Sequence, residues 1–533
     1  MDLAQGILIM RLLALIFSLP FLVPVPAQAQ CDVVAVLPPT TEDYDRVGSI
    51  LAVEGVWAFI GLHGSTNDKQ GRVVVYRRGA SGWALHQELF APIPGRHPMF
   101  GNGIAVANGL LVVNERQSWV WKGQAWFPTG GMTHLFELDS AGDRWRHAGR
   151  LRPPDLGLGA YFGGSLDTDG STVVVGHFLD SFGKDGRIEV FERAAGGWTH
   201  QRILPPDGEL WFGQYCKVSG THLTSTSHRD LGWSGRQVQT FERGTSGWKL
   251  RQRLDIPPGA LGQFEPGLDG DLLAVSYHDV HNTPHNIVQF FSWNQGWWHP
   301  DGSVVGVKKW TFTSPPTVAI SGNRVALGDA VDFNYPLCNG NIYCQVGSVY
   351  LLDRRRDGSW KGKRLKHPNP AYGDSFGSRV ALDGDTLLAG APNAGSQSGI
   401  AYILRIPRTK RTCASTPNST GAPARMDLEG CASVLENDVA LVATPVPDTW
   451  GLFVYGEFGA QIPWGPGFTC VGAPVRRLPL QVATGGVLRH PLELGGSPFF
   501  PGSSWHFQAW FREVPGASSA FQLSDGMRVV FEL

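Results

Sequence analysis

The sequence predicts an all-β protein, a seven-bladed β-propeller closed by its N-terminal strand and followed by a small C-terminal β-sandwich. Three observations lead to this prediction. The 533 residues include 68 Gly, 37 Pro, 28 Phe and 19 Trp, a composition that favours many short strands joined by turns. A unit of four apolar strands recurs along the chain. The last unit lacks a fourth strand, which a segment near the N-terminus can supply.

Seven units run from about residue 46 to residue 410. Six of them open on Val or Phe, followed in most by Gly, and the sixth unit has Pro315-Pro316 there instead. Turns such as Asp383-Gly384 join the strands of a unit, and in the first six units a Trp leads into the closing strand. A sheet this small cannot bury its faces alone, so seven are expected to pack radially. The openings include Val47, Phe100, Phe162, Phe212, Phe264 and Phe376, and the closing tryptophans are Trp83, Trp145, Trp198, Trp248, Trp297 and Trp360.

The seventh unit ends after residues 400–406 without a Trp-led strand. Residues 33–39 precede the first unit and end in Leu37-Pro38-Pro39, which matches the end of a closing strand at Leu204-Pro205-Pro206. We therefore expect residues 33–39 to lie beside residues 399–406 and to close the ring.

The N-terminal residues are typical of an export signal. Arg11 precedes an apolar stretch, and Ala27-Gln28-Ala29 offers small residues for cleavage after Ala29. A membrane anchor is the alternative, although prolines interrupt the stretch. The predicted divisions are a signal peptide over 1–29, a propeller over 30–410 and a C-terminal module over 411–533. The mature chain is expected to be secreted, periplasmic or at the cell surface, without a transmembrane segment.

The charge is balanced, with 45 Lys and Arg against 46 Asp and Glu. Without a basic block, the chain lacks the electrostatic term that dominates nucleic-acid affinity. A nucleic-acid partner is therefore not expected.

The last unit carries the pattern Phe376-Gly377, then Val380 to Asp385, then Gly390-Ala391-Pro392. It resembles an FG-GAP repeat of bacterial extracellular proteins and, more distantly, the propeller of integrin α chains. Residues 412–533 resemble a C-terminal module found on many secreted bacterial repeat proteins. That module brings no known catalytic residues, and its alternating strands suit a small β-sandwich.

Seven cysteines in an exported chain are first of all disulfide candidates. Cys338 and Cys344 flank a short turn and are expected to pair. Cys31 stands at the Trp position of the closing strand, so a Cys31–Cys413 bond is predicted. The rival is Cys413 with Cys470, which the module's resemblance favours and which leaves Cys31 free or bound to Cys431. Cys216 is expected to be a buried free thiol.

No cofactor is expected. The integrin resemblance implies calcium, but the acidic pieces near Asp167, Asp269 and Asp383 hold two acids each and coincide with hairpin turns. A histidine cluster at His278, His281 and His285 could hold a transition metal, but such clusters in exported loops are usually solvated.

No catalytic residue is predicted, because no nucleophile elbow occurs in a strand-to-helix context. Paired carboxylates from different blades could still catalyse glycoside hydrolysis. The candidate residues for such a pair are Asp180, Asp185, Asp230 and Asp332.

An aromatic insertion in the second unit contains Trp119, Trp121 and Trp126. Flat rings on a loop stack on sugars or anchor a partner, and the alternative is packing against another part of the chain. The predicted function is non-catalytic binding or adhesion to an extracellular protein or glycan. The alternatives are a carbohydrate-active enzyme with its site in the central cavity and a structural envelope or matrix component. Inward-pointing acids in the cavity would favour the enzyme, and a plugged apolar centre would favour binding.

Overall fold

The protein is described by a computed structural model, and α-helix is absent from the residues that it describes. Those residues are 34–36, 46–63, 71–79, 82–92, 99–115, 119–121, 126–128, 131–154, 161–178, 186–205, 209–228, 236–256, 260–261, 265–279, 285–308, 317–332, 336–339, 341, 344–354, 358–395, 398–406, 409–430, 432, 434, 437, 439–494 and 498–531.

Seven antiparallel sheets, called sheets 1 to 7, follow one another along the chain, each with a four-stranded path. Their second strands, such as Trp57–Leu62 and Leu110–Glu115, are buried along their whole length, as expected when a small sheet is covered on both faces. The strands, from the innermost outward, are Ile50–Glu54, Trp57–Leu62, Arg72–Gly79 and Gly82–Phe90 in sheet 1; Phe100–Ala107, Leu110–Glu115, Met132–Leu138 and Trp145–Leu151 in sheet 2; Tyr161–Thr168, Thr172–Phe178, Arg187–Ala194 and Gly197–Ile203 in sheet 3; Cys216–Ser219, His222–His228, Arg236–Gly244 and Gly247–Asp255 in sheet 4; Pro266–Asp269, with Ala260–Leu261 beside it, Leu272–Asp279, His285–Asn294 and Trp297–Lys308 in sheet 5; Thr317–Ser321, Arg324–Asp329, Ser348–Arg354 and Trp360–Lys366 in sheet 6; and Val380–Asp383, Thr386–Ala391, Ile400–Arg405 and Val34–Val36 in sheet 7.

The innermost strands form a closed circuit of contacts. Each touches the innermost strand of the next sheet, and the strand of sheet 7 touches that of sheet 1. The hydrophobic clusters lie between neighbouring sheets, so each sheet buries its faces against two others. This arrangement is consistent with a β-propeller.

The N-terminal strand completes sheet 7 as predicted. Val34–Val36 pairs antiparallel with the strand Ile400–Arg405, with Ala35 opposite Tyr402. Val47 bridges Gly399 in addition. Residues from both ends of the repeat region therefore share one sheet.

A polar residue stands before the turn glycine of every innermost strand. Asp169 accepts from Ser171 N and Thr172 N within its own turn, whereas the other six residues bond to the next sheet. In five junctions the residue before the glycine accepts a hydrogen bond from the N–H of the next turn glycine, as Asp269 Oδ2 does from Gly322 N at 2.7 Å. Asn108 Nδ2 donates instead to the Asp169 carbonyl, and Asp167 Oδ2 accepts from Val218 N. The other four glycine bonds join Glu54 to Gly109, Ser219 to Gly270, Ser321 to Gly384 and Asp383 to Gly55.

The opening Phe-Gly pairs fill the junctions at the other end of the innermost strands. Phe376 is fully buried, and Gly377 has a φ of +86°. A Cβ on Gly328 of the preceding sheet would lie 2.0 Å from the Gly377 carbonyl oxygen. Two glycines are therefore needed where the two backbones touch.

Closing-strand tryptophans are held by glutamines of the preceding sheet. Gln201 donates to the Trp248 carbonyl at 3.2 Å and accepts from the Trp248 N–H at 3.1 Å. Gln87 makes the same two hydrogen bonds with the backbone of Trp145, and Gln252 makes them with the backbone of Trp298. In sheet 5 the buried ring is that of Trp298, whereas the Trp297 highlighted by the sequence is 46% exposed.

Two further sheets lie between residues 409 and 530 and share one hydrophobic core. Met426 and Leu441 from one sheet and Phe453, Phe507 and Phe511 from the other belong to that core. The larger sheet contains Thr409–Cys413, Gly526–Val530, Ser504–Arg512, Trp450–Gly456, Arg476–Arg477, Gln481–Val482 and Phe521–Leu523; the smaller contains Arg425–Gly430, Val439–Thr444 and Leu488–Leu492; and a hairpin joins Gly459–Trp464 to Gly467–Val471.

Two disulfides are present. Cys338, at the end of the 3-10 helix Pro336–Cys338, pairs with Cys344 as predicted. Cys413 pairs with Cys470, so the predicted Cys31–Cys413 bond is wrong and its rival is correct. Strand Thr409–Cys413 pairs with Gly526–Val530, which turns Cys413 toward the C-terminal sheets and away from the ring. Cys216 is a buried free thiol, while Cys31 and Cys431 lie outside the described residues.

Candidate functional site

The seven innermost strands surround a central cavity of about 540 Å³. Every one of the seven sheets contributes lining residues. This volume lies within the range of about 300 to 1,000 Å³ that is typical of small-molecule sites. The ring of sheets thus encloses a space of the size of a ligand pocket.

Four charged side chains from sheets 3, 4, 5 and 7 lie in this cavity. Glu265 binds a cation at each carboxylate oxygen: Oε2 accepts from Arg379, and Oε1 lies 3.4 Å from the Lys217 ammonium. Asp167 lies beside Lys217 and accepts from Val218 N at 2.9 Å. Tyr215 stands two residues before Lys217 on the cavity wall. We call Asp167, Lys217, Glu265 and Arg379 the cavity tetrad.

The tetrad groups have shifted pKa values with distinct causes. Burial raises the pKa of the Asp167 carboxyl, and Lys217 offsets part of that rise. Burial also acts to raise the pKa of Glu265, but the Arg379 and Lys217 charges outweigh it and bring the pKa below its usual value. Burial opposes protonation of Lys217, yet Asp167 and Glu265 together raise its pKa. The two acids therefore differ in basicity within one cavity.

Across the cavity from Glu265, the middle of the wall is apolar. Ile50 and Ala52 from sheet 1 and Ile104 and Val106 from sheet 2 line it, and Glu54, Asn102 and Asn108 line the cavity at the ends of the same two strands.

The predicted aromatic insertion forms a hairpin. The strands Trp119–Trp121 and Trp126–Pro128 pair antiparallel, with Trp121 opposite Trp126. The placement of the three tryptophan side chains lies outside what the structure describes. Because the hairpin joins the second and third strands of sheet 2, it leaves the ring at the end where the innermost strands begin. Glu265 and Arg379 immediately precede innermost strands, so they lie toward that same end.

Four acids were considered as candidate catalytic residues. Three of them, Asp180, Asp185 and Asp230, lie outside the described residues. Asp332 is fully buried in sheet 6, where its Oδ2 accepts from Ser348 and lies 2.6 Å from Arg364 Nη2. It stands in a polar cluster of that sheet and does not line the cavity.

Within the described ranges, three or more His, Cys, Asp or Glu side chains do not gather in a group that could hold a metal. Asp269 and Asp383 were considered as calcium ligands. A carboxylate oxygen of each accepts a hydrogen bond from the N–H of a turn glycine in the next sheet. Their Asp-Gly turns therefore have a structural use in joining sheets. His278 pairs in the strand ladder with Asn286, and His281 is not described.

Sequence reasoning missed Lys217, Glu265 and Arg379 as a group. The sequence does contain a signal for them. Lys217 stands three residues before a turn glycine, and Glu265 and Arg379 stand five residues before one. Other units have apolar residues at these two positions, such as Ala52, Ile104, Ala319 and Ala381. A long charged side chain at such a position points to the centre of the ring. Aligning the units on their turn glycines would have identified it.

Comparison with known families gives one match: residues 363–404 match the FG-GAP repeat. This match covers the end of sheet 6 and most of sheet 7. Comparison with curated protein sequences gives no match.

Three solved structures each align with 61% of this chain at low identity. One is a proposed 6-phosphogluconolactonase from Bacteroides fragilis, with 13% identity, 85% of its chain covered and a TM-score of 0.37. Another is a protein from Lactobacillus plantarum, with 12% identity, 86% covered and a TM-score of 0.39. A third is a proposed 6-phosphogluconolactonase from Bacteroides uniformis, with 13% identity, 86% covered and a TM-score of 0.38.

Among the described residues, no helix is long and apolar enough to cross a membrane. The two disulfides fit an extracellular protein.

Proposed function

We propose that the chain is an exported, non-catalytic binding or adhesion protein that recognises an extracellular protein or glycan through one face of a seven-bladed propeller. In this proposal sheets 1 to 7 are the blades, divergent copies of the FG-GAP repeat, and the two C-terminal sheets form a β-sandwich. Function in such folds lies in the loops that the rigid ring presents.

One observation carries the proposal. The hairpin of Trp119–Trp121 and Trp126–Pro128 leaves sheet 2 at the end of the ring where Glu265 and Arg379 lie. Aromatic rings and paired charges on one face are the combination that partner recognition uses. The Phe-Gly openings pack the backbones closely at that same end of the ring, as Gly328 and Gly377 do, and a rigid face lowers the entropy cost of binding.

The carboxylates in the cavity already have hydrogen-bond or ion-pair partners, which supports a non-catalytic role. Each oxygen of Glu265 faces a cation, and Asp167 accepts from a backbone N–H. A carboxylate that is already neutralised by two cations is a weak base and a weak nucleophile.

The test is a screen of the full chain against a glycan array and immobilised extracellular proteins. We expect Trp121→Ala with Trp126→Ala to weaken binding to any partner found by roughly tenfold or more, the loss typical of aromatic anchors. The matched control is Trp297→Ala, an exposed tryptophan on the outer strand of sheet 5. Equal binding by the hairpin variant and the control would refute the assignment of the face.

A second candidate, a carbohydrate-active enzyme, is favoured by the two acids Asp167 and Glu265 that line the central cavity. The pKa of Asp167 is raised, so it is the candidate general acid, whereas the two cations beside Glu265 lower its pKa and weaken it as a nucleophile. Turnover of chromogenic glycosides that is abolished in Asp167→Asn and retained in Asp271→Asn, an exposed turn residue, would establish it in place of the binding role.

A further inference from the structure

We infer that the central cavity is a binding site for a small neutral sugar, whose hydroxyl groups contact the cavity tetrad while one face of its ring lies against Ile50, Ile104 and Val106. This site shares Glu265 and Arg379 with the face of the proposed function, but its described lining contains no residue of the tryptophan hairpin, so it does not depend on that hairpin.

The charged side of the cavity offers both donors and acceptors to a ligand. A guanidinium and an ammonium together carry about eight N–H donors, and the two carboxylates provide about eight lone-pair sites, one of which accepts from Val218 N. Glu265 serves both Arg379 and Lys217, whose side chains remain 30% and 23% exposed within the ring. Asp167 lies beside them as a further acceptor. A hydroxyl group both donates and accepts, so a polyol can bridge these groups.

The charge of the lining argues against an anionic ligand. Among the described lining residues, the carboxylates are Glu54, Asp167, Asp169, Glu265, Asp269 and Asp383, against the two cations Lys217 and Arg379. An anion entering this space would meet an excess of negative charge in a region of low dielectric constant. The four carboxylates outside the tetrad each accept from a backbone N–H at the turn end of the innermost strands. The middle of the cavity is therefore set by the tetrad, which pairs two acids with two bases and suits a ligand without net charge.

The shape of the lining also suits a sugar. Ala319 and Ala381 are small and leave room beside the tetrad, while Ile50, Ile104 and Val106 form an apolar surface across from it. A pyranose presents C–H groups on its faces and hydroxyl groups around its edge. The volume of about 540 Å³ is ample for one or two sugar rings.

The experiment is titration calorimetry of the full chain with free glucose, galactose, N-acetylglucosamine and maltose, alongside glucuronate and glucosamine as charged probes. We expect saturable binding of at least one neutral sugar. The double variant Asp167→Asn with Lys217→Met removes one charge of each sign and should weaken that binding by roughly tenfold or more. Arg146→Gln, at an exposed position on the outer strand of sheet 2, should leave it unchanged.

A second variant keeps the test decisive if the double variant does not fold. Ala381→Leu adds bulk to the cavity without touching a charge and should abolish binding. Absence of saturable binding by every neutral sugar, binding of the charged probes alone, or wild-type affinity in both cavity variants would overturn the inference. The hairpin variant Trp121→Ala should bind the sugar as the wild type does, which separates this result from that of the loop-face screen.

Discussion

The Asp383 carboxylate accepts a hydrogen bond from the backbone N–H of Gly55 at 2.6 Å, although 328 residues separate the two in the chain. Asp383 ends the innermost strand of sheet 7, and Gly55 forms the first turn of sheet 1. The same type of bond joins Asp269 to Gly322 between sheets that follow each other directly. The junction that closes the ring therefore has the same hydrogen bond as four of the other six junctions. It adds to the strand pairing of Val34–Val36 with Ile400–Arg405.

We predict that Asp383→Ala lowers the free energy of unfolding by about 1 kcal/mol, because the Gly55 N–H loses its acceptor. Asp383→Asn keeps a side-chain oxygen and should stay close to the wild type. Urea unfolding followed by tryptophan fluorescence measures both. Equal losses in the two variants would show that the carboxylate charge matters more than the hydrogen bond.

The glutamine contact between sheets 3 and 4 gives a second prediction. Gln201→Ala removes an acceptor and a donor from the Trp248 backbone and should cost about 2 kcal/mol, since Gln201 is half-buried and Trp248 is buried. Lys249→Ala, at the neighbouring exposed position, should change stability by less than about 0.5 kcal/mol. Thermal unfolding of the two variants compares them directly, and indistinguishable melting temperatures would contradict the role given to Gln201.

Glu189 makes stability depend on acid pH. Its fully buried carboxyl would have a raised pKa through burial alone, but His177, His200, Arg202 and Arg187 bring the pKa down to about 2. A lowered folded-state pKa stabilises the fold above the ordinary value of 4.5, and this contribution is lost as the pH falls from 4.5 toward 2. The loss should be on the order of 3 kcal/mol.

Urea unfolding at several pH values between 7 and 2 tests this. Glu189→Gln should be less stable than the wild type at pH 7 and should lose less stability on acidification, whereas Glu242→Gln, at an exposed position, should follow the wild type. A wild-type pH profile in Glu189→Gln would rule out this carboxyl as the source.

Substitutions at Gly328 and Gly322 test two different reasons for a glycine, which are close packing at Gly328 and a positive φ at Gly322. Gly328→Ala would force a Cβ to 2.0 Å from the Gly377 carbonyl oxygen, so we expect a loss of about 3 kcal/mol or failure to fold. Gly322 has a φ of +58° but open space around its Cβ position, so Gly322→Ala should cost only about 1 kcal/mol. Melting temperatures and soluble yield distinguish the two, and a larger loss at Gly322 would reverse this account.

The repeat pattern was readable from the sequence because its signals are local. Alternation of apolar residues sets strands, Asp-Gly pairs such as Asp383-Gly384 set turns, and a fixed spacing sets the unit. The partner of residues 33–39 was predictable for the same reason, since one unit lacked its last strand. Cys338 and Cys344 were also predictable, because a short turn separates them.

The central cavity was decided by the tertiary structure. Glu265 and Arg379 are 114 residues apart, and their local sequences give no sign that they meet. They pair because the closed ring brings two innermost strands to a common centre. The distance between those strands depends on how many sheets the ring contains. Cys413 bonds to Cys470 and not to Cys31 for a similar reason, because its strand joins the C-terminal sheet. Local pattern therefore determined the sheets and their order, whereas contacts between distant residues depended on the geometry of the closed ring.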